Sequence, residues 1–415
     1  MRIPLGICAL ILLSCSLTLA QPALWFSKQD IPRLQKVIAT EPEATVWRGI
    51  VQRAEQYCTP GSGAYADPAM VAKRPEPPWK VQITGHYLGR RLTTWMETLG
   101  LAYQLTGDER FARQGVLLLD AAARCLQVTE PDIAQGFAGA RGDIMRGLAV
   151  GYDWLGEAMT PEQKSAWAAT SAGYVRNILT EAAGEKVWWK PHHNFMGVAI
   201  GAAGLLSLQL QPQFPDEAPK WRAQCTELVR TWLEKGFDEQ GAYFEGTGYA
   251  AYGLSNAIAF ADALQRAGGP NLFESNRLRL VPHFFAMSLL PGERVFEARN
   301  DANYAGLDDP GMLKLAGALD SGLARWLWQT AGGGDSPFRI VWSNNVAPQT
   351  PREAHEPLAE HFAGRGLCIW RMGWDANDVM FSIEAGPYYP VTHNQADEGH
   401  FTLYGLGQRW AIDSG

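Results

Sequence analysis

The hydrophobic period of this 415-residue chain changes once, near Gly334, and that change limits the folds open to it. From Ser27 to about Gly334 apolar residues recur at helical spacing, in segments of roughly 12–20 residues divided by Gly- and Pro-bearing loops. Ser27 or Asp30 can cap a first helix toward Cys58. Further helices are expected over Arg91–Leu105, Glu109–Cys125, Asp143–Leu155, Phe195–Leu208, Ala218–Lys235, Gly248–Ala267, Leu278–Leu289 and Gly311–Thr330. Thr160-Pro161-Glu162 opens another, with Pro at the first helical position, running to about Ala183. Residues 59–90 and 132–142 are rich in Gly and read as loops. Faces such as Ala199, Gly201, Ala202, Ala203 and Gly204 allow close helix packing, and no heptad repeat is present. Successive hairpins of this kind stack into an α-solenoid or curl into an α/α toroid, whose loops line a cleft at one end.

Beyond Gly334 Pro and Asn cluster, and short runs joined by Gly and Asp turns follow: Gly366–Met372, Val379–Ala385, Phe401–Tyr404 and Gln408–Ile412. This is the pattern of an antiparallel sheet. Three or four strands make a poor independent domain, so the chain is expected to stop inside a β-domain. The expected fold is mostly α then β: an incomplete α/α toroid (21–335), a linker (336–360) and the start of an antiparallel β-sandwich (361–415). Residues 1–20 read as a signal peptide, with Arg2, an apolar stretch Ile7–Leu13 and Thr18-Leu19-Ala20 before Gln21. The expected location is therefore periplasmic or secreted; a lipoprotein anchored through Cys15 is the alternative. No other apolar run approaches membrane-spanning length. The formal net charge of -7 gives no reason to bind nucleic acid, although a local cleft can still hold an acidic polymer. Cys58, Cys125, Cys225 and Cys368 are widely spaced without a CxxC, which excludes a zinc ribbon or thioredoxin-like site.

Three polar stretches could carry chemistry. The first is Lys190-Pro191-His192-His193-Asn194-Phe195, before the apolar run Val198–Leu208. Imidazole and amide groups at a helix start can hold an anion and move a proton; otherwise Asn194 is a helix cap and the histidines face solvent. The second runs from Gly241 to Tyr252. Two glycines bring its backbone close to any cleft occupant, Tyr249 falls in the first helical turn, and Tyr252 lies one turn on along the same face. A helix start favours a phenolate, which singles out Tyr249; aromatic packing is the competing account, preferred for Tyr243 and Tyr252. The third is Thr392–Phe401, with His393 and His400 near its ends. Its His, Asp and Glu residues could bind a metal or position an acid or base, or form a polar surface hairpin. Arg299, in the polar loop 299–304, can line a cleft or sit in a solvated turn.

Residues 392–415 resemble the start of the β-domain in heparinase II/III-like polysaccharide lyases: His-x-His-x-Asp, an apolar strand, a Gly turn, then Asp-x-Gly. His393, Asp397, Phe401, Gly407, Asp413 and Gly415 carry the match. Glu245–Tyr249 looks like the family's Glu-Gly-x-x-Tyr segment with its catalytic tyrosine, and His193-Asn194 looks like its upstream His/Asn element. The resemblance implies an α/α toroid followed by a β-sandwich. It also implies β-elimination at a uronic acid unit of an anionic polysaccharide or oligosaccharide, leaving a 4,5-unsaturated product. Tyr249 would then act as acid, its pKa near ~10 lowered by cationic neighbours, with His193 or His393 as base. Asn194 and His193 would neutralise the uronate carboxylate. Glu245, Tyr252, Arg299 and His192, the last without a clear family counterpart, are further substrate-binding candidates. Gln395 stands where some members carry a zinc-ligating histidine. No cofactor is therefore expected to be required, and Asp413 is left as a weak candidate for a structural zinc.

Two other classes stay open. A glycoside hydrolase on a similar toroid needs two carboxylates facing one cleft, such as Glu245 with Asp143 or Asp301. A non-catalytic glycan-binding protein needs neither. His355-Glu356-Pro357-Leu358-Ala359-Glu360-His361 is not a HExxH zinc motif, because the spacing is wrong and Pro357 opposes a helix. There is no Walker loop and no Gly-x-Ser-x-Gly elbow.

Overall fold

The structure, a computed structural model, describes residues 23–72, 78–126, 138–186, 189–387, 393, 395 and 398–413, with side chains omitted at 78–86. Residues 1–20, including Cys15, and the motif residues Asn394, Asp397 and Gly415 lie outside the described residues.

Among the described residues fourteen α-helices precede one antiparallel sheet. The helices that build the site are α4 (Pro78–Thr106), α6 (Ala138–Leu155), α8 (Gly201–Gln209), α9 (Ala218–Lys235), α10 (Gly246–Arg266) and α11 (Asn276–Ser288). Helix α6 sits at the centre, packed on α4, α8 and the π-helical turn Met196–Ile200 that leads into α8. It is buried on nearly every side, Asp153 excepted, as expected for a helix surrounded by others.

Two expected loops are helical instead. Residues 138–142 open α6, and α4 begins at Pro78 rather than near Arg91. The glycines there serve helix contact, not turns. A Cβ on Gly142 would lie 2.7 Å from Val198 Cγ1, and one on Gly89 would lie 2.7 Å from Asp143 Cβ. Small residues let helices touch backbone to backbone, and composition alone does not separate that use from a loop.

The sheet is a meander in the order β1-β2-β3-β4-β5: Ala359–Phe362, Leu367–Arg371, Met380–Glu384, Phe401–Gly405 and Gln408–Ala411. Four strands fall where alternation places them. The first, β1, straddles the expected end of the linker at 360; Ala-Glu-His-Phe has no strand signature and owes its form to pairing with β2. One face of the sheet buries Leu367, Ile369, Met380 and Tyr404. The other exposes Trp370, Phe401 and Trp410. Cys58, Cys125, Cys225 and Cys368 are free thiols. No helix among the described residues is long and apolar enough to cross a membrane.

Candidate active site

A cavity of about 820 Å³ opens between α4, α6, the start of α10, the loop 301–309 and His393. The stretch around Asn194 reaches it through glycine contacts. Built Cβ atoms on Gly197 and Gly201 would lie 2.4 Å from Gly253 O and 2.6 Å from the Asn256 carbonyl carbon, so the π-turn rests on the backbone of α10. Asn194 is fully buried, and it is not a side-chain cap. Its backbone N–H and its Nδ2 both donate to Glu245 Oε2, each at 2.8 Å. Tyr243 Oη donates to the same oxygen at 3.2 Å. Glu245, expected to touch substrate, is fully buried and anchors Asn194 instead. Asn194 lines the cavity, and its Oδ1 has no hydrogen-bond partner.

His193 is also buried. Its Nδ1 accepts the Phe195 N–H at 3.1 Å, which places its proton on Nε2, 4.0 Å from Glu245 Oε1. Burial, then the neighbouring His393, lowers its pKa to about 3. The ring is therefore a neutral N–H donor, and the nearby carboxylate does not charge it. His192 packs on Phe244, ring centroids 4.4 Å apart, and neither it nor His193, the expected base, is among the cavity-lining residues.

Tyr249 lies in the first turn of α10 and stacks on His393, centroids 3.7 Å apart and planes 16° apart. The rings of His193 and His393 are 6.2 Å apart. His393 Nδ1 meets Asp301 Oδ2 at 2.8 Å, an Asp–His pair that leaves Nε2 as the ring's acceptor. Two non-glycine residues beside this pair adopt left-handed backbone, His393 at φ 67° and Asn300 at φ 60°. Such conformations cost about 1 kcal/mol or more each, and tertiary packing holds them in place. The expected lowering of the Tyr249 pKa is reversed. Burial first, then Asp301 and Glu245, pushes it up to about 12 against the opposing pull of Arg90. Tyr249 is thus a phenol at neutral pH, a proton donor rather than a phenolate.

Tyr252 lines the same cavity, its hydroxyl 3.1 Å from both oxygens of Asp143. Arg299 does not line it. That side chain is buried beneath the sheet, 3.0 Å from Glu297 Oε2 and 3.2 Å from Glu384 Oε2. Asp413 lies with it, 3.3 Å from His400. Among the described residues no three His, Cys, Asp or Glu side chains are grouped to share a metal ion.

Sequence reasoning missed four wall residues. Arg90 stands 3.5 Å from Asp143 and over the Tyr252 ring, 5.2 Å from its centroid. Arg146 pairs with Glu97 at 3.2 Å, and burial pushes Glu97 up to about 7. Asp309 is likewise raised, chiefly by burial. All four sit in ordinary helical or loop contexts, and only the assembled helices bring them to one wall.

Comparison of folds meets the same architecture in polysaccharide lyases. Heparinase III superposes with a TM-score of 0.60 at 15% identity, over 93% of this chain and 65% of that one. Heparan sulfate lyase HepC from Pedobacter heparinus gives 0.52 at 15% identity, over 95% and 64%. The chondroitin AC lyase of Streptomyces coelicolor A3, solved with chondroitin sulphate, gives 0.57 at 14% identity, over 92% and 58%. The fold is the helical toroid with a C-terminal antiparallel sheet that these lyases share. The chain spans about two thirds of the length of the heparan sulfate lyases it matches. No family model and no curated protein matches the sequence.

Proposed function

We propose that this protein is a polysaccharide lyase, cleaving a uronate-containing glycan by β-elimination. The observation that carries the reading is the Tyr249–His393 stack at a cavity wall that also holds Asn194. Elimination breaks the C5–H bond, forms the C4–C5 double bond and expels the C4 oxygen. His393 Nε2, oriented by Asp301, takes the C5 proton. Tyr249, a phenol at neutral pH, protonates the departing oxygen. Charge building on the uronate carboxylate is met by Arg90, the exposed guanidinium of the cavity. Asn194, held by Glu245, lines the same cavity. The reading requires no cofactor. We further propose that residues 1–20 export the protein and that its partner is an anionic polysaccharide or oligosaccharide.

The test is ultraviolet absorbance during incubation with a panel of uronate glycans. A rise marks the unsaturated product. Release of reducing ends without that rise would move the protein to hydrolysis, a reading favoured by Glu97, an acid held near neutrality in the same cavity.

A further inference from the structure

The cavity belongs to a proposed uronate lyase, yet its own charge is negative. Its described lining carries two guanidinium groups, Arg90 and Arg146. Against them stand five carboxyl groups: Glu97, Asp143, Asp301, Asp308 and Asp309; burial raises Glu97 and Asp309, and the other three still outnumber the guanidinium groups. The guanidinium groups are already engaged, Arg146 by Glu97 at 3.2 Å and Arg90 by Asp143 at 3.5 Å. Asp301 faces His393. Asp309 accepts the Gly311 N–H at 2.8 Å and lies within the field of Arg146, whereas no ion pair joins Asp308 to a lining cation among the described residues. Low-dielectric walls concentrate such a field rather than dissipate it.

A second observation concerns what the wall seeks. Asn194 Oδ1 is fully buried, lines the cavity and lacks a donor. A lone acceptor suits a sugar hydroxyl and repels a sulfate oxygen, which is itself only an acceptor. Carboxylates such as Asp308 and Asp309 likewise accept strongly from hydroxyls.

Resting on the lyase reading, we infer that the cavity selects a uronate glycan without sulfate, its single carboxylate taken near Arg90 and an uncharged, hydroxyl-bearing sugar lying toward Asp308 and Asp309. A uronate carboxylate can be met by Arg90. A sulfate on the neighbouring sugar would carry a permanent charge into a wall that already has an excess of carboxylates.

The experiment compares chondroitin sulfate and heparan sulfate with their chemically desulfated forms, and includes alginate as an unsulfated polyuronate. Rates are read by absorbance. Affinities are read by calorimetry on the Tyr249→Phe protein. An unsulfated glycan is expected to show kcat/KM at least about 10-fold above any sulfated one at ~50 mM salt, narrowing at ~300 mM as charge is screened. The double variant Asp308→Asn, Asp309→Asn should narrow the gap by about 3-fold or more. Equal or faster cleavage of a sulfated polymer overturns the inference, as does a gap indifferent to both salt and the double variant. If nothing is cleaved, the lyase reading fails separately, and the affinity order still judges the charge selection. Tighter binding of a sulfated polymer, or binding of none, overturns it.

Discussion

Two clusters of charge and imidazole draw on the loop 297–303, and they end in opposite states. Beneath the sheet, Arg299 spends every guanidinium nitrogen on internal partners: Glu297, Glu384, His400 and Ser382. Arg365 joins them through Glu384 and bonds the Tyr243 carbonyl at 3.1 Å. Ser382 and Thr402 both donate to Glu297, which ties strands β3 and β4 to the helical part. At the cavity wall, two residues away, Asp301 meets His393, and that ring lies open against Tyr249. The residue types are the same. The junction closes on itself and can only hold the sheet in place, whereas the wall leaves polar atoms facing space that a ligand can enter. Residue type does not separate structure from function here; what the polar atoms face does.

The comparison breaks if the two clusters answer mutation alike. Tyr249→Phe is expected to cut eliminative kcat by about 10³-fold or more while moving the melting temperature by at most about 2 °C. A variant that retains full activity removes the acid. Arg365→Ala should do the reverse, costing about 3 kcal/mol in urea unfolding, because it takes one of two guanidinium partners from buried Glu384 and the donor from the Tyr243 carbonyl. An unchanged unfolding midpoint would show that the junction is not structural.

A finer cut is Asp301→Asn, which keeps a partner for His393 and removes its charge. A roughly 10-fold loss in kcat is expected, with the Tyr249 phenol titrating at lower pH, since Asp301 helps to raise it. Spectrophotometric titration of the tyrosines checks the second point; a phenol that moves upward or stays fixed contradicts the assigned cause.

The smallest effect is on stability against pH. His193 stays neutral down to about 3 in the fold, whereas an ordinary histidine takes its proton near 6.5. Its contribution is complete above pH 6.5 and is lost as pH falls from there toward 3, on the order of 2 kcal/mol by ~pH 5. His193→Asn should flatten that part of the acid limb in unfolding measured at both pH values. Equal losses in the two proteins would exclude His193 as the source.

Much of the architecture lies in the sequence itself. The change of period near Gly334 precedes all five strands, with the short helix Pro337–Val341 in the expected linker after it, and Pro161, Ala218 and Lys235 mark helix ends where the structure has them. The three polar stretches can be picked out because Tyr249, His193-Asn194 and His393 sit at the starts of elements or in an unusual polar loop. Tertiary structure decided how those groups act. Glycines at 89 and 142 became helix contacts because a neighbouring helix arrived to meet them. Glu245 became an anchor for Asn194, and Arg299 part of the junction, because burial fixed what each could face. The Tyr249 pKa rose because folding removed water and brought Asp301 and Glu245 closer in effect than Arg90. Periodicity and capping are local properties that a sequence states directly. Burial, charge balance and the partner of a buried polar atom depend on residues dozens to hundreds of positions away, and they exist only once the chain has closed around them.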